Sequence, residues 1–580
     1  MNRLLFVAAT ALVPAALGAQ TQATAPAPVT IVPAPESRLP LKHVAQPTSP
    51  QISAKDLMTR LYIFADDSME GREAGKVGNV KGTDYIAAEV KRMGLQPAGE
   101  NGTYFQTLPF MERSFDSTST LTVDGTPLKA GVDWAGAGAV SLSQTLGVVY
   151  GGIAGDTSAK LTSDQVNGKL VVFNAPGSTG GRRGIRIGGP VPPGAAAVAY
   201  VAPGNFMTFL RRPATYVDDP SRRAASAATP TPTIIVTPEA MGRLFARPVD
   251  SLQPGGAGKS VTLDLKMKVG PTPFPARNVV AILPGTDPKL KAQFVAIGGH
   301  NDHIGMNNRP VDHDSMRILL HLVRPGGAED GNKQATAEQQ AEINRQLAAW
   351  RSAHPNSMRA DSISNGADDD GTGSVSVLEI AEKLVSLKGK NAPKRSILFV
   401  WHVGEEKGLL GSAYFTDHPT VPRDSIVAQL NIDMVGRGDA WDVTGSAKEG
   451  GALHGNPNYL QLVGSRRLSK ELGDLVEQVN KEGKHNIAFD YSIDANGHPQ
   501  RIYCRSDHYE YARYNIPITF FTTGGHSDYH QVTDEPQYID YDHMARVDNL
   551  IEDIAMRVAN LDHRIVVDQP KGDPTAACVQ

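Results

Sequence analysis

Apolar runs and amphipathic stretches alternate along the second half of the chain. Five short runs are almost wholly apolar, which predicts strands buried on both faces; they lie within residues 277–285, 293–300, 396–406, 425–436 and 517–525. Stretches with apolar residues at helical spacing follow several of these runs and predict helices at 374–389, 458–482 and 544–561. This alternation predicts an α/β fold with a doubly wound sheet of parallel or mixed strands.

Two further amphipathic stretches lie near the N-terminus, at residues 56–67 and 82–95. In the second, Ile86, Ala87, Val90 and Met93 share one stripe, which predicts a helix that packs on a core through that stripe. We assign both stretches to the same main domain as the alternating part of the chain.

Residues 136–265 have a different pattern. Four short apolar runs are separated by turns rich in glycine and proline, and charged residues are sparse. We interpret this tract as a mostly β domain inserted into a main domain formed by residues 51–135 and 266–575. Its content of candidate catalytic residues is low, so it is either a substrate-access or protein-interaction lid, or a passive insertion.

Composition limits the class of protein. A chain of 580 residues is too long for one compact core, so two or three domains are expected. The net charge of −4 offers neither a basic field for nucleic acid nor a polybasic patch for membranes. Cysteine-rich zinc or iron–sulfur sites are excluded, because Cys504 and Cys578 are the only cysteines. These two residues either stay reduced or pair and tether the C-terminal tail.

Residues 1–19 have the pattern of a secretory signal peptide. Arg3 precedes an apolar run that ends at Leu17, and Gly18 and Ala19 are small enough for cleavage. The run is too short for a membrane span, and no cysteine follows it to carry a lipid anchor. Residues 20–50 are rich in proline, alanine, threonine and glutamine and predict a flexible linker. We therefore expect an exported protein, periplasmic or extracellular, without a membrane anchor.

Residues that can bind metal follow the predicted buried strands. His300 ends the second run, Glu405 and Glu406 end the third, and Asp433 lies within the fourth. Doubly wound sheets bind ligands at the carboxyl ends of their strands, which is where these residues fall. Adjacent carboxylates that leave a buried strand are costly unless they are paired or bind a cation. The set therefore favours hydrolysis by a metal-activated water, with one carboxylate as ligand and its neighbour as general base.

The remaining ligand positions have competitors. The tract Asp368, Asp369 and Asp370 opens a predicted helix, where an aspartate can bridge two metals or can simply cap the helix. His526 and His530 compete for one further position, and their place in the sequence does not separate them.

Two polar residues follow His300 closely in the sequence. We expect Asp302 to orient that ligand or the catalytic base, without binding metal itself. We interpret His303 as structural.

Together these segments resemble the co-catalytic two-zinc exopeptidases, the family of secreted bacterial leucine-type aminopeptidases and glutamate carboxypeptidases. The motifs H-x-D, D-x-G-[ST]-G, E-E-x-G-L-x-G-S, N-x-D-M and Y-H-x-x-x-D occur in the order of that family. The resemblance covers about residues 53–134 and 277–560, and the tract 136–265 resembles a protease-associated domain. It implies the phosphorylase/hydrolase-like fold of the zinc exopeptidases, and peptides as substrates.

Carried onto this chain, the resemblance implies two metal ions. His300 and Asp433 would hold one, Glu406 and His530 would hold the other, and Asp369 would bridge them. His530 is preferred over the competing histidine because it occupies the family's motif. Zinc is the expected metal, with Co²⁺ or Mn²⁺ as substitutes.

The resemblance also implies the catalytic roles. Glu405 would be the general base that passes a proton from the water to the leaving amine. Asp302 would support the site, and Tyr529 would help to polarise the scissile carbonyl. The expected function is a secreted aminopeptidase that removes N-terminal residues through a water bound by two zinc ions.

The interval between His300 and Asp369 departs from the family, which has a short loop there. Residues 306–366 are mostly polar and contain a helical stretch at 336–354. We expect an insertion beside the metals that acts as a lid, a wall of the substrate pocket or a dimer contact, or a surface excursion without a role. The substrate preference and the oligomeric state stay open.

Several other functions compete with this interpretation. A carboxypeptidase or dipeptidase of the same family would need arginines such as Arg437 or Arg505 in its specificity pocket. A one-zinc glutaminyl cyclase and a non-catalytic binding protein are disfavoured, because all five candidate ligands and Glu405 are present. A serine hydrolase is disfavoured because the chain lacks a G-x-S-x-G motif.

Overall fold

The computed structural model describes residues 39–156, 161–174, 191–202, 207, 213–219, 231–247, 251–331, 333–355, 359–437 and 458–580. The predicted signal peptide (1–19) and residues 20–38 of the predicted linker lie outside the described residues. Residues 39–50 differ from a flexible linker because they pack on the first helix. His43 hydrogen-bonds Thr59 at 3.1 Å, and the hydroxyl of Ser49 donates to Asp56 at 2.9 Å. In the described part of the chain, no helix has the length and hydropathy needed to cross a membrane.

The strands are numbered in chain order. They are β1 Gln96–Pro97, β2 Phe105–Thr107, β3 Phe110–Phe115, β4 Thr120–Val123, β5 Thr126–Leu128, β6 Trp134–Gly136, β7 Leu142–Leu146, β8 Val148–Ile153, β9 Leu170–Asn174, β10 Ala197–Val201, β11 Ala214–Val217, β12 Thr233–Val236, β13 Val261–Leu265, β14 Met267–Pro271, β15 Arg277–Leu283, β16 Phe294–His300, β17 Met306–Asp312, β18 Ala360–Ile363, β19 Ser396–His402, β20 Ile426–Ile432, β21 Tyr459–Val463, β22 Ala488–Asp490 and β23 Ile518–Thr522.

The α-helices are numbered in the same way. They are α1 Ala54–Phe64, α2 Val77–Arg92, α3 Ser163–Val166, α4 Pro238–Phe245, α5 His313–Val323, α6 Ala337–Ala353, α7 Gly373–Ser386, α8 Leu410–Asp417, α9 Lys470–Glu482, α10 His508–Ala512 and α11 Tyr541–Asn560.

One mixed sheet of nine strands forms the centre of the main domain. Its order is β1-β15-β19-β16-β20-β23-β21-β22, with β2 also paired to β15. The four central strands β19, β16, β20 and β23 run parallel, and antiparallel neighbours flank them on both sides. Helices cover both faces of the sheet. The predicted doubly wound α/β fold is therefore confirmed, as are all five predicted strands of the second half of the chain.

Successive side chains of each central strand divide between the two faces of the sheet. On β19, Ile397 and Phe399 face a core shared with α1, α2, α7, α9 and α11, whereas Leu398 and Val400 face a second core that includes residues of α8 and α10. Each large apolar side chain buried in this way contributes about 1.5–3 kcal/mol of transfer free energy. The predicted apolar face of the last helix is confirmed, because all of its members are buried: Met544, Val547, Leu550, Ile551, Ile554 and Val558.

The predicted helix at 458–482 is wrong over its first part. Tyr459–Val463 forms the strand β21, which pairs antiparallel with β23, and α9 begins only at Lys470. Gly464 follows the strand with a φ of +77°, and Ser469 caps the helix by accepting a hydrogen bond from the backbone of Leu472 at 3.1 Å. The apolar pattern of the five buried residues of β21 is compatible with a strand or a helix. Only pairing with the neighbouring strand β23 decides between the two.

The described residues between 110 and 271 form three smaller sheets. Their strand orders are β6-β12-β10-β9-β8, β5-β4-β13-β7 and β11-β3-β14. The predicted limits of the inserted domain, 136–265, differ from this pairing, because β3 and β4 pair with β14 and β13 more than a hundred residues later. Pairing over such a distance leaves no mark on local periodicity. The similarity of this tract to a protease-associated domain stays a prediction.

The tract 306–366 folds as a small unit. Its end strands β17 and β18 pair antiparallel, and α5 and α6 pack together through a cluster that includes Ile318, Val323 and Ile343. The helix predicted at 336–354 is confirmed as α6.

Cys504 and Cys578 form a disulfide, which joins the C-terminal tail to the segment just before α10. Of the two alternatives for these cysteines, the structure shows the paired form.

Candidate metal centre

The parallel strands place the predicted metal ligands at one edge of the main sheet. His300 ends β16, the pair Glu405 and Glu406 follows β19, and Asp433 follows β20. Because these strands are parallel neighbours, their carboxyl ends meet at the same edge. His530 comes from the loop after β23, the next strand in the sheet.

Asp369 lies between two histidines. Its Oδ1 is 3.2 Å from Nε2 of His300, and its Oδ2 is 3.0 Å from Nε2 of His530. Each histidine also faces a second carboxylate: His300 is 3.7 Å from Oδ1 of Asp433, and His530 is 2.9 Å from Oε2 of Glu406. The structure therefore brings all five predicted ligands together, with Asp369 in the middle.

The chemistry of these groups fits zinc. Within the described residues, Nε2 of His300 and of His530, Oδ2 of Asp369, Oε1 of Glu406 and Oδ1 of Asp433 are buried without an aligned hydrogen-bond partner. A buried polar atom left in that state costs about 1–3 kcal/mol, which a bound cation would offset. Imidazole nitrogens and carboxylate oxygens are the ligands that zinc takes in hydrolytic sites.

The aspartates on either side of Asp369 accept hydrogen bonds from backbone amides. Asp370 accepts hydrogen bonds from the backbone of His300 at 2.8 Å and of Gly373 at 2.9 Å, so it caps α7. Asp368 accepts from the backbone of Gly436 at 2.8 Å. Both side chains are buried. The peptide bond between Asp369 and Asp370 is cis.

His526 does not reach the five predicted ligands. Its Nε2 is 3.1 Å from Oδ2 of Asp368, and both side chains are fully buried. Of the two competing histidines, it is therefore His530 that faces Asp369 and Glu406.

Glu405 and Asp302 occupy the side of the centre next to His300. Oε2 of Glu405 lies 3.9 Å from Nε2 of His300, and burial raises the pKa of Glu405 well above its usual range. Oδ1 of Asp302 accepts hydrogen bonds from the backbone of Gly404 at 2.7 Å and of Glu405 at 3.1 Å. The same oxygen is 3.7 Å from Nδ1 of His300. Asp302 thus joins the loop of Glu405 to the imidazole of His300.

Tyr529 stacks on the ring of His530, with ring centroids 4.0 Å apart. Its hydroxyl accepts a long hydrogen bond from Arg505 at 3.4 Å. Burial raises the pKa of Tyr529 well above its usual range, so the phenol stays protonated and can donate a hydrogen bond.

His303 belongs to this centre, although the sequence interpretation made it structural. Its Nδ1 is 2.7 Å from Oε1 of Glu406 and 3.8 Å from Oδ2 of Asp369. Its ring packs edge-on against that of His530, with centroids 5.6 Å apart, and it is fully buried. The sequence feature that could have predicted this role is the position of His303 three residues after His300, in the same loop at the end of a strand.

A cavity of about 460 Å³ opens beside the centre. Asp369, Glu405 and Asp433 line it on the side of the candidate metal ligands, and Tyr529 and Arg505 also contribute to its wall. Glu329 and His498 also line it, and the remaining side chains of the lining are apolar or neutral and polar, among them Met434, Gln461, Ile493, Ile502, Phe520 and Thr522. This is a space that could hold a substrate next to the candidate catalytic groups.

Comparison with known families identifies the segment that carries the centre. Residues 278–555 match the family model of Peptidase family M28. The predicted resemblance to the co-catalytic zinc exopeptidases is thereby confirmed, and the M28 segment contains every candidate ligand and catalytic residue named above.

Relatives of this chain match over limited lengths. A probable leucine aminopeptidase of Arthroderma benhamiae is 37% identical over 139 residues, 23% of this chain and 34% of that protein. Leupeptin-inactivating enzyme 1 of Streptomyces exfoliatus is 36% identical over 98 residues, 16% of this chain and 22% of that protein. The chain thus spans about a third of the length of the first of these relatives, and less of the second. Among solved structures, an aminopeptidase from Aneurinibacillus sp. strain AM-1 aligns with 90% of this chain and 97% of its own, at 16% identity and a TM-score of 0.48.

Proposed function

We propose that this protein is an exported, metal-dependent aminopeptidase that removes N-terminal residues from peptides. The observation that carries the proposal is the position of Asp369, whose two oxygens face His300 and His530 at 3.2 and 3.0 Å. A carboxylate whose two oxygens face different histidines in this way can bind two metal ions at once. Glu405 lies next to this position, on the wall of the cavity. The M28 match supports peptides as the substrates.

The five ligands divide into two sets. His300 and Asp433 would hold one zinc ion, His530 and Glu406 would hold the other, and Asp369 would bridge both. Bound zinc would lower the pKa of a water and polarise the carbonyl of the substrate, and Co²⁺ or Mn²⁺ could substitute.

The protein's own groups would then move the proton and fix the geometry. Glu405 accepts the proton of the attacking water and donates it to the leaving amine. Asp302 fixes the backbone of Glu405, and the hydroxyl of Tyr529 donates a hydrogen bond to the carbonyl oxygen as negative charge develops there. His303 holds Glu406 through Oε1, which leaves Oε2 directed toward His530.

The arginines of the site favour an aminopeptidase over a carboxypeptidase, which would need a cation for the C-terminal carboxylate. Arg437 is buried against Asp528, with Nη1 3.0 Å from Oδ2. Arg505 is the one arginine or lysine among the described residues of the cavity wall, and it is paired with Glu329 at 2.6 Å. Both arginines are therefore already engaged by carboxylates.

The test is to measure bound metal and substrate range on the purified protein, beside Glu405→Gln. We expect two zinc ions per chain, and chelator-sensitive cleavage of aminoacyl amides but not of N-blocked peptides. Glu405→Gln should keep its zinc and lose about 10²–10⁴-fold in kcat, the usual contribution of a general base. Cleavage of N-blocked peptides with free C-termini would instead indicate a carboxypeptidase. Bound zinc without turnover would indicate a cyclase or a binding protein, and absence of metal would refute the proposal.

Export is tested separately, by N-terminal sequencing of the protein recovered outside the cytoplasm. A mature N-terminus near residue 20 would agree with cleavage of the predicted signal peptide, and an intact, cell-retained chain would contradict it.

A further inference from the structure

The insertion at 306–366 is fastened to the loop that carries Tyr529 and His530. Nη1 of Arg317, on α5, is 3.2 Å from Oδ2 of Asp528, which lies next to Tyr529. At the far end of the same loop, Nε2 of His313 is 2.8 Å from Oε2 of Glu535. The side chains of Asp528 and Glu535 are buried, so these are contacts between packed surfaces and not exposed ion pairs.

A tight turn of the insertion, Gly327–Asp330, is pressed against the backbone of that loop. The amide of Ala328 donates to the carbonyl of Tyr529 at 3.1 Å. Gly327 has a φ of +56°, and a Cβ placed on it would lie 2.7 Å from the carbonyl oxygen of His526 and 2.8 Å from that of Tyr529. Only a glycine can approach so closely, and this approach places the turn in the wall of the cavity.

Glu329, on that turn, lines the cavity together with Gly326, which directly precedes the turn. Its Oε1 is 2.6 Å from Nη2 of Arg505. Arg505 belongs to the M28 segment and lines the same cavity, and its guanidinium is always charged in proteins. Glu329 therefore cancels the one permanent positive charge among the described residues of the cavity wall.

In the proposed reaction, the first side chain of the substrate would lie in this cavity. Its wall includes Asp369, Glu405 and Asp433, so a scissile carbonyl placed at those groups directs the adjoining side chain into the same space. A neutral side chain would meet the uncharged part of the wall, which includes Met434 and Phe520. A carboxylate side chain would meet Glu329 and find Arg505 already engaged, which is an unfavourable arrangement of like charges.

We propose that the insertion sets the substrate preference: Glu329 neutralises Arg505, so the cavity accepts neutral N-terminal residues and rejects acidic ones. This inference rests on the proposed aminopeptidase function. It gives the insertion the role of a pocket wall, one of the roles that its place in the sequence had allowed.

The experiment compares N-terminal glutamine with glutamate, which have the same shape and differ in charge. We would measure kcat/KM for the p-nitroanilides of Gln, Glu and Leu with the wild type, Glu329→Gln, Glu329→Asp and Glu342→Gln. Glu342 lies on α6 of the same insertion and pairs with Arg345, so it is a matched control outside the cavity.

The wild type should prefer Gln over Glu by about tenfold or more, and Glu329→Gln should reduce that ratio by about tenfold or more because it frees Arg505. Glu329→Asp and Glu342→Gln should keep the wild-type ratio. Equal cleavage of Gln and Glu by the wild type would overturn the inference, as would an unchanged ratio in a folded Glu329→Gln. The wild-type ratio needs no variant, so the test stands even if Glu329→Gln is unstable. A wild type that cleaves none of the three substrates would instead refute the proposed function.

Discussion

His303 offers the sharpest test of how the metal centre is held. The residue is fully buried, and its Nδ1 is 2.7 Å from Oε1 of Glu406. The other oxygen of that carboxylate, Oε2, faces His530 at 2.9 Å. One imidazole therefore stands against each oxygen of Glu406. If His303 were removed, Glu406 could rotate and Oε1 would stay buried without a neighbour.

The expected magnitude follows from this contact. Removing a group that orients a zinc ligand typically weakens metal binding or activity by about 10–100-fold, or about 1.4–2.7 kcal/mol. We therefore expect His303→Leu, which fills the space without a polar atom, to bind zinc about 10–100-fold more weakly than the wild type.

His303→Asn is the matched variant, because the side-chain nitrogen of asparagine takes nearly the place of Nδ1 and can donate a hydrogen bond to Glu406. It should retain zinc affinity within about tenfold and rank clearly above His303→Leu. Zinc affinity is measured by competition with a chromogenic chelator, and the absorption spectrum of the cobalt-loaded protein reports the ligand field. Neither measurement depends on turnover.

Two outcomes would refute this reasoning. If His303→Leu binds zinc as tightly as the wild type, His303 has no part in the centre and is structural. If His303→Asn and His303→Leu lose zinc equally, His303 binds the metal directly, because an amide nitrogen cannot replace an imidazole as ligand. Thermal unfolding of the metal-free variants shows whether either result reflects a general loss of fold.

The remaining predictions concern stability and the insertion. Replacing Cys504 and Cys578 with serine should lower the free energy of unfolding by about 4 kcal/mol, because the disulfide spans 74 residues; an unchanged denaturant midpoint would contradict this. Gly327→Ala should reduce kcat/KM by about 10–100-fold, because its Cβ would displace the turn from the Tyr529 loop. Gly331→Ala, also at positive φ but with no atom within 4 Å, is the control, and equal kinetics in the two variants would count against docking. Burial raises the pKa of Glu552 from 4.5 to about 7, so the folded state binds the extra proton and stability falls as pH rises between those values. Glu552→Gln should therefore stabilise the protein by roughly 1–3 kcal/mol at pH 8 and have little effect at pH 4, and an equal shift in Tm at both pH values would oppose this.

The main sheet could be predicted because its central strands are buried on both faces. Such strands are continuous apolar runs, and β16 and β19 stand out for that reason. The start of α9 was missed because β21 is equally apolar and lies between β23 and β22, a position that only tertiary pairing reveals. The limits of the inserted sheets were missed for the same reason: β3 pairs with β14, far along the chain.

The sequence predicts the location of the candidate site more readily than it predicts which individual residue fills each ligand position. His300, Glu405 and Asp433 could be predicted as neighbours in space because each lies at or next to the end of a strand, and parallel strands end at one edge of a sheet. Local sequence could not choose among three adjacent aspartates, because the choice depends on distant partners. Asp370 is occupied by backbone amides, whereas Asp369 faces the two histidines.

The loop from His526 to Glu535 explains how an insertion can act on the metal centre without contributing a ligand. On its inner side, His530 faces the candidate metal ligands, and Asp534 accepts hydrogen bonds from the backbone amides of Asp368 and Asp369 at 3.0 and 3.1 Å. On its outer side, the same loop receives the contacts of the insertion, including Arg317 on Asp528. Docking and metal binding therefore stabilise one conformation of one loop, and each should strengthen the other. Zinc that binds only this conformation should also raise the stability of the docked insertion, by an amount that grows with the free metal concentration. A metal-free protein whose insertion resists proteolysis as well as the zinc-loaded protein does would show that the two sides of the loop are independent.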